Sequence, residues 1–195
     1  MIIVFEGLDG SGKGTQIKML KDKLKCSVQN YPDRTGIYGY LFEKILKKKI
    51  NVDMSGYELL PMFLMDMIKD KSKLEKYKGS ETNHIILDRY AHSTLAYQTA
   101  QGIIYEKGKA MIEEFELIEP DILFILDVDP SVCISRIEGE KELFEKEEFL
   151  KKVRKNYIKI YEECFFADVV VSIDGQQDLE TVHSIIFAIL NDYGV

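Results

Sequence analysis

The stretch that most limits how this chain can fold is its beginning, Met1 to Thr15. Ile2 to Phe5 is a short apolar run with β-branched residues, the composition of a buried strand. Gly7 to Lys13 then reads G-x-x-x-x-G-K, and Ile17, Leu20 and Leu24 follow at helical spacing among lysines. Strand, glycine loop and helix in that order make a phosphate-cradling loop, whose glycines let the backbone curl until several N–H groups converge on one anion. The helix N-terminus adds partial positive charge and Lys13 a full one. Gly7, Leu8, Asp9, Gly10, Ser11, Gly12, Lys13, Gly14 and Thr15 are therefore candidate nucleotide-binding residues. One position departs from the usual pattern. Gly14 stands where a Ser or Thr would hold Mg²⁺, and Thr15 follows one place late.

Such a start commits the remainder to an α/β arrangement, and the rest of the chain repeats the alternation. Cys26 to Tyr31, His84 to Asp88, Asp121 to Asp127 and Asp168 to Ile173 read as further strands. Helices are expected over Thr35 to Lys49, Tyr57 to Tyr77 with an interruption near Pro61, Tyr90 to about Ile118, and Phe149 to Cys164. Pro130 fits the start of a helix, and Leu179, Val182, Ile186 and Ile189 mark a closing amphipathic one. Strands alternating with helices imply a five-stranded parallel sheet with helices on both faces. At 195 residues one domain, 1–195, is expected. The methionines Met54, Met62, Met65 and Met67 read as core filler. The lysines Lys47 to Lys49 read as a solvated face that could also touch a polyanion.

Composition narrows the function. A net charge of −7 argues against a general nucleic-acid or membrane-surface binder, and no apolar run approaches a membrane span. Glu6 and Asp9 interrupt the first apolar stretch, which speaks against a signal peptide. Cys26, Cys133 and Cys164 lack metal or disulfide spacing, and so do His84, His92 and His183, as expected of a reduced cytoplasmic protein. Of 26 basic residues only Arg34, Arg89, Arg136 and Arg154 are arginine, the side chain suited to gripping a phosphate in two places. Arg34 and Arg89 fall just after strands, at the same sheet edge as the glycine loop. A second phosphate site beside the first suggests transfer between two phosphate-bearing molecules, which needs positioning and charge neutralisation but no general base.

Four stretches carry a resemblance. Phe5 to Gln16, Tyr31-Pro-Asp-Arg34, Ile86 to Gln98 and Pro120 to Pro130 resemble thymidylate kinases, of the P-loop nucleoside monophosphate kinase family. The run Asp88-Arg-Tyr-x-x-Ser-x-x-Ala-Tyr-Gln98 is the most specific of them. The resemblance implies a five-stranded P-loop NTPase fold, a homodimer, ATP and Mg²⁺, and a pyrimidine deoxynucleoside monophosphate, dTMP, as acceptor. It gives Lys13 and the loop amides the ATP phosphates, and Asp9 the acceptor's 3′-hydroxyl. Arg34 and Arg89 would hold the acceptor phosphate, with Asp88 and Thr15 near the metal. Phe63 would stack on the base, although a core role is equally open from its local sequence. Thr94 and Gln98 would face the base, and Tyr97 would crowd the sugar's 2′ position. Arg136 would lie near the adenine and phosphates, opening a lid at Glu138 to Glu147.

Three positions depart from that pattern. Gly14 replaces the metal-binding hydroxyl, Met67 stands where an arginine would reach the thymine carbonyl, and Leu143 stands where the lid often has an arginine. The last leaves Lys141, Lys146 or Arg136 as the extra cation. Transfer from ATP to dTMP leads the readings. A monophosphate kinase with altered or relaxed pyrimidine choice, a deoxynucleoside kinase and a nucleotide-binding regulator without turnover are the alternatives.

Overall fold

The alternation expected from the sequence is present in the computed structural model, which describes residues 1–24, 26–46, 54–137 and 147–195. Its five strands are β1 (Ile2–Gly7), β2 (Ser27–Asn30), β3 (Ile85–Asp88), β4 (Ile122–Asp127) and β5 (Val169–Asp174). All pair in parallel, in the order β2-β3-β1-β4-β5. β1 is central because every one of its residues is apolar or finds a buried partner, and its whole length is buried.

Side chains alternate across a strand, so β1 feeds two cores. Ile2 and Val4 pack on one face of the sheet, and Ile3 and Phe5 on the other, where Phe5 stacks on Phe124 at 5.2 Å between ring centroids. The second face is covered by α1 (Lys13–Leu24) and α9 (Leu179–Asp192), through Ile17, Leu20, Val182 and Ile186. The first face carries α2 (Gly39–Leu46), α3 (Gly56–Ile68), α5 (Ala91–Ala100), α6 (Tyr105–Glu114) and α8 (Glu147–Glu162). The short α4 (Lys71–Leu74) and α7 (Pro130–Arg136) complete the order. The neighbours of β1 are reached by connections leaving in opposite directions, so a crevice opens beyond the carboxyl ends of the strands, where ligands bind in such sheets.

Several boundaries differ from the sequence reading, each for a local reason. The helix expected from Thr35 begins only at Gly39. Asp33 Oδ1 accepts from the Thr35 and Gly36 amides, both at 3.0 Å, and holds the intervening residues in turns. Its far end, Lys47 to Lys49, lies outside the described residues. Pro61 does not interrupt α3. It forfeits a single bond, to the carbonyl of Tyr57, a half-exposed residue of the first turns. The break comes instead at Lys69 and Asp70, and α4 follows.

The helix expected from Tyr90 to Ile118 is two helices. Gly102, with φ +109°, closes α5, where the Ile103 amide donates to the Gln98 carbonyl and the Gly102 amide to that of Thr99. Of the methionines, Met67 is buried and Met54 and Met62 pack against the core, whereas Met65 is exposed. The expected lid lies outside the described residues except for Glu147, which opens α8.

Candidate active site

The loop between β1 and α1 takes the shape that its glycines allow. Gly7 has φ +138° and Gly10 φ +83°; a Cβ on them would stand 2.6 Å from the Leu126 carbonyl oxygen and 2.4 Å from that of Cys133. Gly14 is different, since a Cβ there would meet nothing within 4 Å. Packing does not exclude a hydroxyl-bearing residue at that position.

Lys13 is buried and curls back over the loop. Its Nζ donates to the Gly7 carbonyl at 3.0 Å, the Leu8 carbonyl at 2.9 Å and Ser11 Oγ at 3.4 Å. Burial, and then the nearby Arg89 guanidinium, lower its pKa to about 8. A cavity of about 250 Å³ opens on the outer side of the loop, lined by Ser11, Gly12, Thr15 and Arg136. Arg136 is exposed at the end of α7 and donates from Nη1 to the Gly10 carbonyl at 3.4 Å. The residues expected to bind ATP thus surround one loop.

The larger cleft, about 640 Å³, lies on the other side of the loop at the carboxyl ends of β2 and β3. It brings together the residues expected to hold the acceptor. Asp9, Asp88, Arg34 and Arg89 line one part, and Phe63, Met67, Thr94, Tyr97 and Gln98 another. Arg89 sits at the junction. Its backbone is in the left-handed region, φ 69°, uncommon without glycine and frequent at functional sites. Its guanidinium donates to the Gly7 carbonyl at 3.1 Å, pairs with the Asp9 carboxylate and lies over the Tyr97 ring at 5.4 Å.

Electrostatics follow from this crowding. Burial alone would raise the Asp9 carboxyl, but Arg89 and Lys13 outweigh it and hold the group below its ordinary range. Burial would lower the Arg89 guanidinium, and Asp9 more than compensates, so it stays charged. Burial foremost, and then Asp9, push the Tyr97 phenol up, which keeps it neutral.

In the part expected to face the base, Phe63 has the core role that its sequence left open, and it is also placed at the cleft wall. It stacks in the core on Phe42, with centroids 4.6 Å apart and planes 4° from parallel, and it lines the cleft. Met67 is almost fully buried one helical turn further on. Thr94 and Gln98 are buried on α5, and Gln98 Oε1 has no hydrogen-bond partner among the described residues. A buried, unpaired acceptor facing a cleft is a place for a ligand donor.

Sequence reasoning missed the residues that support these. Glu6 is fully buried and accepts from the amides of Tyr90 at 2.8 Å and Ser93 at 2.9 Å, from Ser93 Oγ and from Tyr157 Oη. A carboxylate inside an apolar strand was the available signal, because a charge buried there must have partners. Arg154 on α8 grips Asp127 with Nε at 2.6 Å and Nη2 at 3.0 Å, and reaches Asp129 at 3.3 Å. It is a clamp between elements and does not line the cleft. Behind the cleft-lining residue Asp33, buried Asp66 accepts from the Asp33 amide at 2.8 Å. Lys69 pairs with Asp33, Asp66 and Asp70 there.

Comparison with known proteins gives the family. The chain matches the family model described as thymidylate kinase over residues 5–186. It is 42% identical over 161 residues to a protein of Methanococcus vannielii named "Probable thymidylate kinase", covering 82% of this chain and 77% of that one. A protein of the same name from Methanocaldococcus jannaschii is 36% identical, over 98% of this chain and 96% of its own. The solved thymidylate kinase of Candida albicans shares the fold, with a TM-score of 0.79 at 24% identity, covering 98% of this chain and 91% of that one. Among the described residues no helix is long and apolar enough to cross a membrane. The chain belongs to the thymidylate kinase family of P-loop phosphotransferases.

Proposed function

We infer that this protein transfers the γ-phosphoryl group of ATP to dTMP, giving ADP and dTDP, as a single nucleoside monophosphate kinase domain. The observation that carries the reading is the position of Arg89. One guanidinium touches the Gly7 carbonyl of the nucleotide loop and lines the cleft that also holds Arg34. Two anions bound on either side would meet across that wall, with the transferring group between cations.

The residues divide the work as follows. The loop from Gly7 to Thr15 and Arg136 hold ATP, and Lys13 swings from its own carbonyls to the phosphates, where developing charge is best stabilised. Arg34 and Arg89 hold the acceptor phosphate. Asp9 takes the sugar's 3′-hydroxyl, and the Tyr97 ring closes on the sugar. Phe63, fixed by Phe42, stacks on the base, which Thr94 and Gln98 face. The attacking phosphate oxygen is already anionic, so positioning suffices.

Mg²⁺ fits the donor set. No group of three His, Cys, Asp or Glu that could cage a metal occurs among the described residues. The carboxylate of Asp88, at the end of β3, and the exposed Thr15 hydroxyl suit an ion that takes its other ligands from phosphates and water. When bound, the ion neutralises charge on the transferred group. A homodimer and a cytoplasmic location complete the reading, the latter supported by the absence of a membrane-crossing helix among the described residues.

A second reading, relaxed base choice, is favoured by Met67. It lines the cleft, buried, where it cannot donate a hydrogen bond to a carbonyl. ATP offered with a panel of nucleosides and nucleoside monophosphates, with ADP release as the readout, tests both. Release with dTMP and with no nucleoside supports the transfer. Release with nucleosides alone, or with none of the panel, overturns it.

A further inference from the structure

Arg89 is held by more than the groups that a phosphate would displace. Nη1 lies 3.4 Å from Tyr157 Oη and 3.4 Å from Ser93 Oγ, besides the Gly7 carbonyl. Tyr157 comes from α8, the helix that begins directly after residues 138–146, and is itself buried. Its hydroxyl has one proton to give, and Glu6 Oε2 at 2.9 Å takes it. The oxygen lone pairs are then left to face Arg89. Burial, with the Glu6 carboxylate second, holds the phenol far above its usual pKa, so the proton stays on the oxygen.

Glu6 cannot turn away from that role. Its two oxygens accept from the Tyr90 and Ser93 amides, Ser93 Oγ and Tyr157, which fills the lone-pair sites of a carboxylate. It also immediately precedes Gly7, so the anchor is part of the strand that carries the nucleotide loop. One turn earlier on α8, on the same helix face, Arg154 clamps Asp127 at the end of β4. The seating of α8 on the sheet is therefore fixed at two adjacent points, and one of them ends at Arg89.

We propose that Tyr157 is a positioning residue: its hydroxyl, aimed by Glu6, orients the Arg89 guanidinium and makes acceptor binding depend on how α8 is seated. The kinetic consequence rests on the reading that Arg89 meets the acceptor phosphate, whereas the geometric claim does not.

Tyr157→Phe tests it, because the ring and its packing stay and only the bridging oxygen goes. Tyr161→Phe, an exposed tyrosine of α8, is the control. The first readout is the Arg89 side-chain N–H resonance of the ¹⁵N-labelled full chain, assigned by its loss in Arg89→Lys. It should be sharp and slow to exchange in wild type and Tyr161→Phe, and broadened or fast to exchange in Tyr157→Phe. The second is steady-state kinetics, where the KM for dTMP should rise about five- to tenfold, the size of one lost hydrogen bond, with the KM for ATP unchanged. An unchanged Arg89 resonance, or a lower melting temperature with both KM values unchanged, overturns the proposal and leaves Tyr157 a packing residue. If wild type phosphorylates no monophosphate, the functional reading falls while the Arg89 resonance still decides this one.

Discussion

Lys13 offers the most quantitative test of the loop, because its pKa of about 8 lies well below the ordinary lysine value. Burial is the main cause and Arg89 the second, and bound phosphates would offset both by placing negative charge beside the amine. ATP then binds the protonated form, so its affinity falls as the free lysine loses its proton. At about pH 9.5 some 1.5 units separate pH from pKa, and the KM for ATP should be roughly 30-fold above its value near pH 7. The lowered pKa has a second consequence, of the opposite sense. The folded chain binds fewer protons than the unfolded one between pH 8 and the ordinary lysine pKa, so stability from this group rises with pH across that window. Below pH 8 the charged, buried Lys13 costs about 3 kcal/mol on this linkage. Cys26 and Cys133, whose thiols burial pushes up (Cys133 to about 11), oppose this from their ordinary value of about 9 upward, and the buried tyrosines from about 10, so the rise is clearest between pH 8 and about 9. The assays are the KM for ATP and chemical denaturation from pH 7 to 9.5, on wild type and Lys13→Met. Wild type should show both slopes, and the variant should lose the KM slope and the lysine's share of the stability slope, with its turnover lower by orders of magnitude. A wild-type KM and stability that are flat across this range would rule out a lowered pKa at Lys13.

Arg34→Ala and Arg89→Ala should each weaken dTMP by about 2–4 kcal/mol and ATP far less, as initial-rate kinetics would show. A rise in the KM for ATP alone would mean that the two sites are wrongly assigned. Met67→Arg should sharpen preference for dTMP over dCMP, which in wild type should be only about 10–200-fold. A wild-type preference near ~10⁴-fold, measured by kcat/KM, would mean that another residue supplies the donor. Phe42→Ala should destabilise the fold by about 3–5 kcal/mol in denaturation, since Phe42 is buried. It should also raise the KM for dTMP through the loss of support for Phe63.

What the sequence made legible were features with short-range causes. The glycine loop is local geometry, and the apolar runs at Ile2, Ile85 and Ile122 could only be buried strands, so sheet and loop were readable together. Arg34 and Arg89 followed because a strand end in a parallel sheet locates the residue after it. Helix limits were less legible where side chains decide them. Asp33 delays α2 by capping turns, and Pro61 sits inside α3 without breaking it. The supports of the site were not legible at all. Glu6 and Tyr157 are 151 residues apart, and no local pattern announces that one will meet the other. The same holds for Phe42 under Phe63, a contact between two helices whose spacing explains each as core.

If a nucleotide loop and an acceptor cleft meet at Arg89, one ligand can occupy both. Inhibition by a ligand joining adenosine and thymidine through a polyphosphate tests it most directly, since such a molecule spans both sites only if they adjoin. Inhibition should be competitive against ATP and also against dTMP, with affinity lost in both Lys13→Ala and Arg89→Ala. Competition against one substrate alone would contradict it.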